Sequence, residues 1–154
     1  MEEALTHIEL ACLSIGNKRF AVDIMRISEI LVPQTLFPLP CSSDLLEGVI
    51  NLRGAVIPVM NMRKRFGMPA TDDVSAGKLL VVSLVGQLLA LAVDDVIEVI
   101  TVQISDIKPP LQNVTGVGME FLLGVCMYRS GVVMIMDIDS LLHNQSYEKS
   151  FEFK

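Results

Sequence analysis

Side chains able to attack, shuttle a proton or hold a metal are few in this 154-residue chain, and they are scattered. His7 and His143 are the only near-neutral bases. They lie near opposite ends, and neither belongs to a metal-ligand spacing. Cys12, Cys41 and Cys126 form an odd, widely spaced set without a C-x-x-C pair. That pattern speaks against a disulfide framework and a zinc site, and it reads as buried free thiols. Asp94 and Asp95 are the one adjacent carboxylate pair in a strand context. Neighbours in an extended chain point to opposite faces, so the pair reads as a solvated turn and not a catalytic dyad. Nucleophile elbows, P-loops and dinucleotide fingerprints are all missing, and GVG at 116–118 is too short to count. The expectation is a protein without catalysis, cofactor or metal.

One residue resists so plain a reading. Residues 48–67 run GVINLRGAVIPVMNMRKRFG, which sets Arg53 inside an apolar, strand-like stretch between Leu52 and Gly54. Such an arginine either braces its turn by donating to loop carbonyls or is aimed at a partner. The dense basic cluster Arg63-Lys64-Arg65 calls for intramolecular ion pairs or a docking patch for an acidic partner. Met60, Met62, Met134 and Met136 alternate along strands and read as core filling.

The elements that would position these residues are short strands. Hydrophobic residues make up 51% of the chain and aromatic ones 5%, the balance of an aliphatic globule that packs as one domain. A net charge of -6 opposes binding to nucleic acid or to an anionic membrane and leaves a protein partner as the default. The longest apolar run, residues 79–93, is broken by Ser83, Gly86 and Gln87 and falls short of the roughly 20 residues a membrane helix needs. The acidic start MEEALTHIEL does not resemble a secretory signal, so a cytoplasmic location is expected. IELACLSI and RFAVDI flank Gly16-Asn17 as a hairpin, and ISEILV follows as a third strand. VPQTLFPLP, with three prolines, is an extended connection. VINL and AVIPVM turn around Arg53 and Gly54, and the second half brings KLLVVSLV, LLALAV, VIEVITV, FLLGVCM and VVMIMDI. NMRKRFG predicts a short helix closed by Gly67, and DIDSLLHN another capped by Asp137 or Asp139. TDDVSAG is the expected linker and QSYEKSFEFK a fraying tail.

The halves repeat. Adding 76 takes Gly48, Val49, Arg53, Val56 and Met60 to Gly124, Val125, Arg129, Val132 and Met136. At an offset of 71, Ala21-Val22-Asp23 meets Ala92-Val93-Asp94, and Glu29-Ile30 answers to Glu98-Val99 slightly later. Two related β units, roughly residues 14–70 and 77–142, packed through a shared apolar surface, account for this.

The segment GVINLRGAVIPVMNMRKRFG resembles the signature of the CheW-type chemotaxis coupling proteins. FAVDIMRISEIL, LAVDDVIEVI and LLGVCMYRSGVVMIMDIDSLL resemble that family in order and spacing, so that the likeness runs from about His7 to His143. It implies a mainly β fold of two pseudo-twofold-related, five-stranded SH3-like barrels with short helices, forming one domain over residues 1–154 whose subdomains intertwine at the termini. It also implies a non-catalytic adaptor in the cytoplasm, coupling transmembrane chemoreceptors to the regulatory domain of a chemotaxis histidine kinase in receptor arrays. The alternative within the fold is a chemosensory-like pathway controlling pili, development or a second messenger. By resemblance, Ile27, Glu29, Asn51 and Arg53, with Val96 and Val99 from the second half, would bind the receptor tip in a groove between the barrels. Gly48 and Gly54 would be structural turn residues, and the kinase would meet the barrel ends. Met60, Asn61 and Met62 depart from the family's usual aliphatic and acidic residues at those positions.

Overall fold

The computed structural model describes residues 6–38, 46–69, 77–110 and 118–142. Ten strands carry the fold: β1 (His7–Ile15), β2 (Lys18–Asp23), β3 (Ile27–Leu31), β4 (Leu46–Leu52), β5 (Ala55–Asn61), β6 (Lys78–Leu84), β7 (Gln87–Val93), β8 (Asp95–Gln103), β9 (Leu122–Tyr128) and β10 (Gly131–Met136). They fall where the apolar runs stand in the sequence. Gly16, with φ of 65°, turns β1 into β2 as the hairpin reading requires. The expected linker, Gly77 apart, and the tail lie outside the described residues, as do Cys41 and His143.

The strands form two five-stranded sheets, ordered β8-β1-β2-β10-β9 and β3-β6-β7-β5-β4. Neither sheet is drawn from one half of the chain. Each takes two consecutive strands from one half and three from the other, and the exchange is closed by parallel pairs, β2 with β10 and β7 with β5. The chain changes sheets after Ala21-Val22-Asp23 and again after Ala92-Val93-Asp94, the segments matched at an offset of 71. Replacing each strand by its counterpart five places along turns one sheet order into the other.

Three apolar clusters follow from this. Leu10, Cys12, Ile100, Cys126, Val133 and Ile135 fill the hollow of the first sheet, and Ile50, Ile57, Val59, Leu79, Val81 and Ala90 that of the second. The largest lies between the sheets, where Leu13, Phe20 and Val22 from one meet Leu80, Leu89 and Leu91 from the other. Central strands are thus buried on both faces, which is why residues 79–93 read as a continuous apolar run and not as an alternation. Met60, Met62, Met134 and Met136 are buried in this layer, as expected of core methionines, and Cys12 and Cys126 are buried free thiols. Phe20 stacks on Phe66 at 4.9 Å between centroids, and Phe66 leans on Phe121.

Each sheet curls until its edges approach. Beyond β3, Phe37 bridges to Val49 on the far edge, and Lys108, beyond β8, bridges to Val125 in the same way. This accounts for Gly48. It lies inside β4 at a register shift, and not at the turn expected of it. A Cβ there would sit 2.5 Å from the Phe37 carbonyl oxygen, and at its counterpart Gly124 2.7 Å from that of Lys108. Glycine is required because two backbones meet.

Short helical turns complete the frame. Asn61 caps α1 (Met62–Arg65) by accepting from the Lys64 N–H, and Gly67, with φ of 70°, ends it. The 3-10 turn Ile138–Leu142 forms where DIDSLLHN predicts a helix. The Ser140 N–H and hydroxyl both donate to the Asp137 carbonyl, and the Asp139 carboxylate takes two hydrogen bonds from Arg26.

Two outcomes follow from strand exchange and close approach. Separate fragments 1–76 and 77–154 are expected to show little native circular dichroism alone and to regain it when mixed, since each lacks strands for both sheets. Gly48→Ala should cost about 1–3 kcal/mol in denaturant unfolding through overpacking, because its added Cβ meets the Phe37 backbone.

Candidate functional site

Arg53 occupies the tip of the β4–β5 hairpin, in a two-residue turn with φ of 52° followed by Gly54 at 89°. Positive φ at both central residues is the type I′ pattern, which suits Asn-Gly far better than Arg-Gly. Asn51 holds the turn, its Oδ1 accepting the Gly54 N–H at 2.9 Å. From that tip the Arg53 guanidinium reaches Glu29 on β3, the opposite edge of the same sheet. Nη1 donates to Oε1 at 3.2 Å and Nη2 donates to Oε2, a two-pronged pair. The partner is therefore a carboxylate and not the loop carbonyls that turn bracing would call for. That hydrogen bond holds the Glu29 carboxyl below its ordinary range and raises Arg53. The Arg53 side chain keeps 70% of its surface exposed.

The apolar residues around the pair are arranged by bulges. In β3 the register slips between Ile27 and Glu29, so Ile27 and Ile30, three apart, share the face opposite Val82 and Leu80 of the inter-sheet core. In β8 the slip falls at Ile97, so Val96 and Val99 share the face opposite Leu13 and Ala11. Ile27 and Val96 pack partly buried against that core, while Ile30 and Val99 stand exposed on the same faces. The structure thus joins Glu29, Asn51 and Arg53 into one unit on the second sheet, with Ile27 on the adjoining face. It places Val96 and Val99 on the edge strand of the first sheet.

A second unit was not legible as a pair, although the offset of 76 already takes Arg53 to Arg129. Arg129, at φ of 49°, tips the β9–β10 hairpin and approaches Glu98 on β8 at 3.9 Å. It matches Arg53 and Glu29 in position but not in tightness.

Several other charged groups are structural. Asp94, expected in a solvated turn, accepts from Arg63 at 2.9 and 2.5 Å and from the Gly16 N–H at 2.9 Å, because the chain changes sheets there and its loose backbone must be tied. Lys64 approaches Glu47 at 3.5 Å. Arg65 donates to the Leu141 carbonyl and lies 4.2 Å over the Phe121 ring, and burial lowers its pKa. The basic cluster is thereby used up internally, in three directions. A cavity of about 430 Å3 opens beside the Arg63–Asp94 pair, but its charged wall residues Glu47, Arg63, Lys78 and Asp94 all have partners on the chain. Among the described residues no group of three or more His, Cys, Asp or Glu side chains could hold a metal, and no helix is long and apolar enough to cross a membrane.

Twin curled sheets carrying exposed arginine-carboxylate tips, with the basic cluster at 63–65 held internally, define a protein that works through its surface. The chain belongs to the CheW family: the CheW-like domain matches residues 9–146. It is a family of non-catalytic adaptors. The chain is 29% identical to a chemotaxis protein CheW of Treponema pallidum, over 92% of this chain and 85% of that protein. It is also 29% identical to the CheW of Rhizobium meliloti, over 91% and 90%, and 30% identical to protein FrzA of Myxococcus xanthus, over 76% and 72%. The crystal structure of the scaffolding protein TtCheW from Thermoanaerobacter tengcongensis superposes with a TM-score of 0.83 at 26% identity, covering 94% of this chain and 93% of that one. The mainly β, two-sheet fold implied by the sequence resemblance is thereby established, with the sheets curled but not closed.

The Glu29 carboxyl should titrate below an ordinary glutamate near pH 4.3, followed by carbon-detected NMR, and Arg53→Gln should return it towards that value. Because its folded pKa is the lower one, its contribution to stability is present above the unfolded pKa. It is lost as pH falls through the folded value.

Proposed function

We propose that this protein is a cytoplasmic scaffold that couples membrane chemoreceptors to a chemotaxis histidine kinase, and that the Arg53–Glu29 unit reads the receptor. The observation that carries this reading is an arginine held in a left-handed turn, mostly exposed, and set beside apolar residues on an edge strand. Backbone strain at an exposed tip is a common mark of a functional position. A glycine would make the same turn more easily, so the side chain and not the backbone gives the arginine its use here.

The mode is a helix in a groove. Ile27, Val96 and Val99 would bury the apolar stripe of a receptor helix, while Arg53 and Glu29 would fix its register by charge. Asn51 serves by holding the turn. The pair is already formed in the free protein, so a partner carboxylate joins or replaces Glu29 at Arg53 and meets a guanidinium that is oriented in advance. The kinase regulatory domain would meet the ends of the barrels.

Calorimetric titration with the kinase regulatory domain from the same cell is expected to give saturable binding near the micromolar range, about -8 kcal/mol. Arg53→Glu should abolish binding of a receptor cytoplasmic fragment at this tip while leaving the melting temperature little changed. The charge-swapped double variant, Glu29→Arg with Arg53→Glu, should stay unable to bind there although its ion pair is remade. Recovery of binding at the tip in that variant would reduce Arg53 to a brace.

A further inference from the structure

Among the described residues, the non-glycine positions with positive φ are Arg53, Arg129 and Ser130, and all three sit at the tips of the two duplicated hairpins. Strain of this kind persists only where the surrounding structure imposes it, and here it recurs at matched sites. We infer that the Arg129 tip is a second docking site, which takes a protein segment of the same chemistry as the Arg53 tip: a carboxylate set among aliphatic side chains. The inference rests on the receptor-reading role proposed for Arg53.

Charge is the first support. Arg129 keeps 70% of its side chain exposed, and its one carboxylate neighbour, Glu98, stands 3.9 Å away, beyond hydrogen-bond reach. Its other contact is the Tyr128 ring, 5.3 Å from the guanidinium carbon. Among the described residues its N–H donors have no acceptor. Arg53 must share its donors with Glu29, whereas Arg129 has the full fork to offer an incoming carboxylate.

The apolar surround is the second. Met127 and Val132 face each other across the hairpin, 66% and 48% exposed, on the face that continues the inter-sheet core through Val125 and Met134. The matching cross-strand pair in the first half is Asn51 and Val56. Methionine in place of asparagine removes the acceptor that ties the first turn and adds an adaptable apolar contact. The second tip is therefore the more apolar of the two, with the freer cation.

The test is titration of the full chain with the cytoplasmic fragment of a receptor from the same cell, with stoichiometry read by calorimetry and sedimentation. Two fragments per chain are expected. Arg129→Gly, which takes the turn without strain, should leave one, with the second event weakened at least tenfold and the fold unchanged by circular dichroism. Arg53→Glu should likewise leave one. A single fragment bound by the wild type, lost with Arg53→Glu and untouched by Arg129→Gly, would overturn the second site while sparing the role of Arg53. No binding to the wild type would overturn both.

Discussion

The apolar layer between the two sheets depends on the chain crossing from one sheet to the other twice. At each crossing the backbone leaves its ladder and must be held by something else. After β2, Asp23 accepts the Met25 N–H, and Arg26 then donates to the Ser83 carbonyl and to Asp139. After β7, Asp94 accepts from Gly16 and from Arg63. These bonds fix where β3 and β8 begin, and β3 and β8 are the edge strands that carry Glu29 and Glu98. The hairpin tips can find their carboxylates only because the crossings are pinned.

Duplication has preserved this scheme while inverting part of it. Position 63 bears an arginine that holds the second crossing, and its counterpart 76 residues on is Asp139, which holds the first through Arg26. The position keeps its task with its charge reversed, and its partner moves from the crossing residue Asp94 to Arg26, three residues beyond the matching Asp23. The tips show a different divergence: Arg53 and Arg129 are retained, while Asn51 gives way to Met127 and the ion pair loosens. Replacements of this kind keep the backbone and change what the surface offers.

Much of this was legible in the sequence. Strand positions followed from apolar runs bounded by glycine and asparagine, and the internal repeat from constant offsets. Arg53 stood out because arginine is foreign to a strand-like stretch. What escaped depends on distance along the chain. Asp94 looked solvated because its partner, Arg63, is 31 residues away. The resemblance gives Gly48 a turn role, and nothing local shows the Phe37 carbonyl lying against it. The intertwining of the subdomains came from the resemblance and not from the repeat, for a related reason: an offset reports that two segments are alike and says nothing of which neighbours they choose. The bulges at Ser28 and Ile97, which turn odd spacings into shared faces, are likewise set by pairing partners.

The crossed strands bear on how a load would travel through the molecule. Two globules touching through side chains can rock against each other, since nothing covalent resists a small slip at their boundary. Here β2 runs from the heart of one sheet directly into the edge of the other, and β7 does so in the opposite sense. A pull on one hairpin tip therefore passes along continuous backbone into both sheets. The molecule should behave as a stiff strut, moving as one piece when it is gripped at either end.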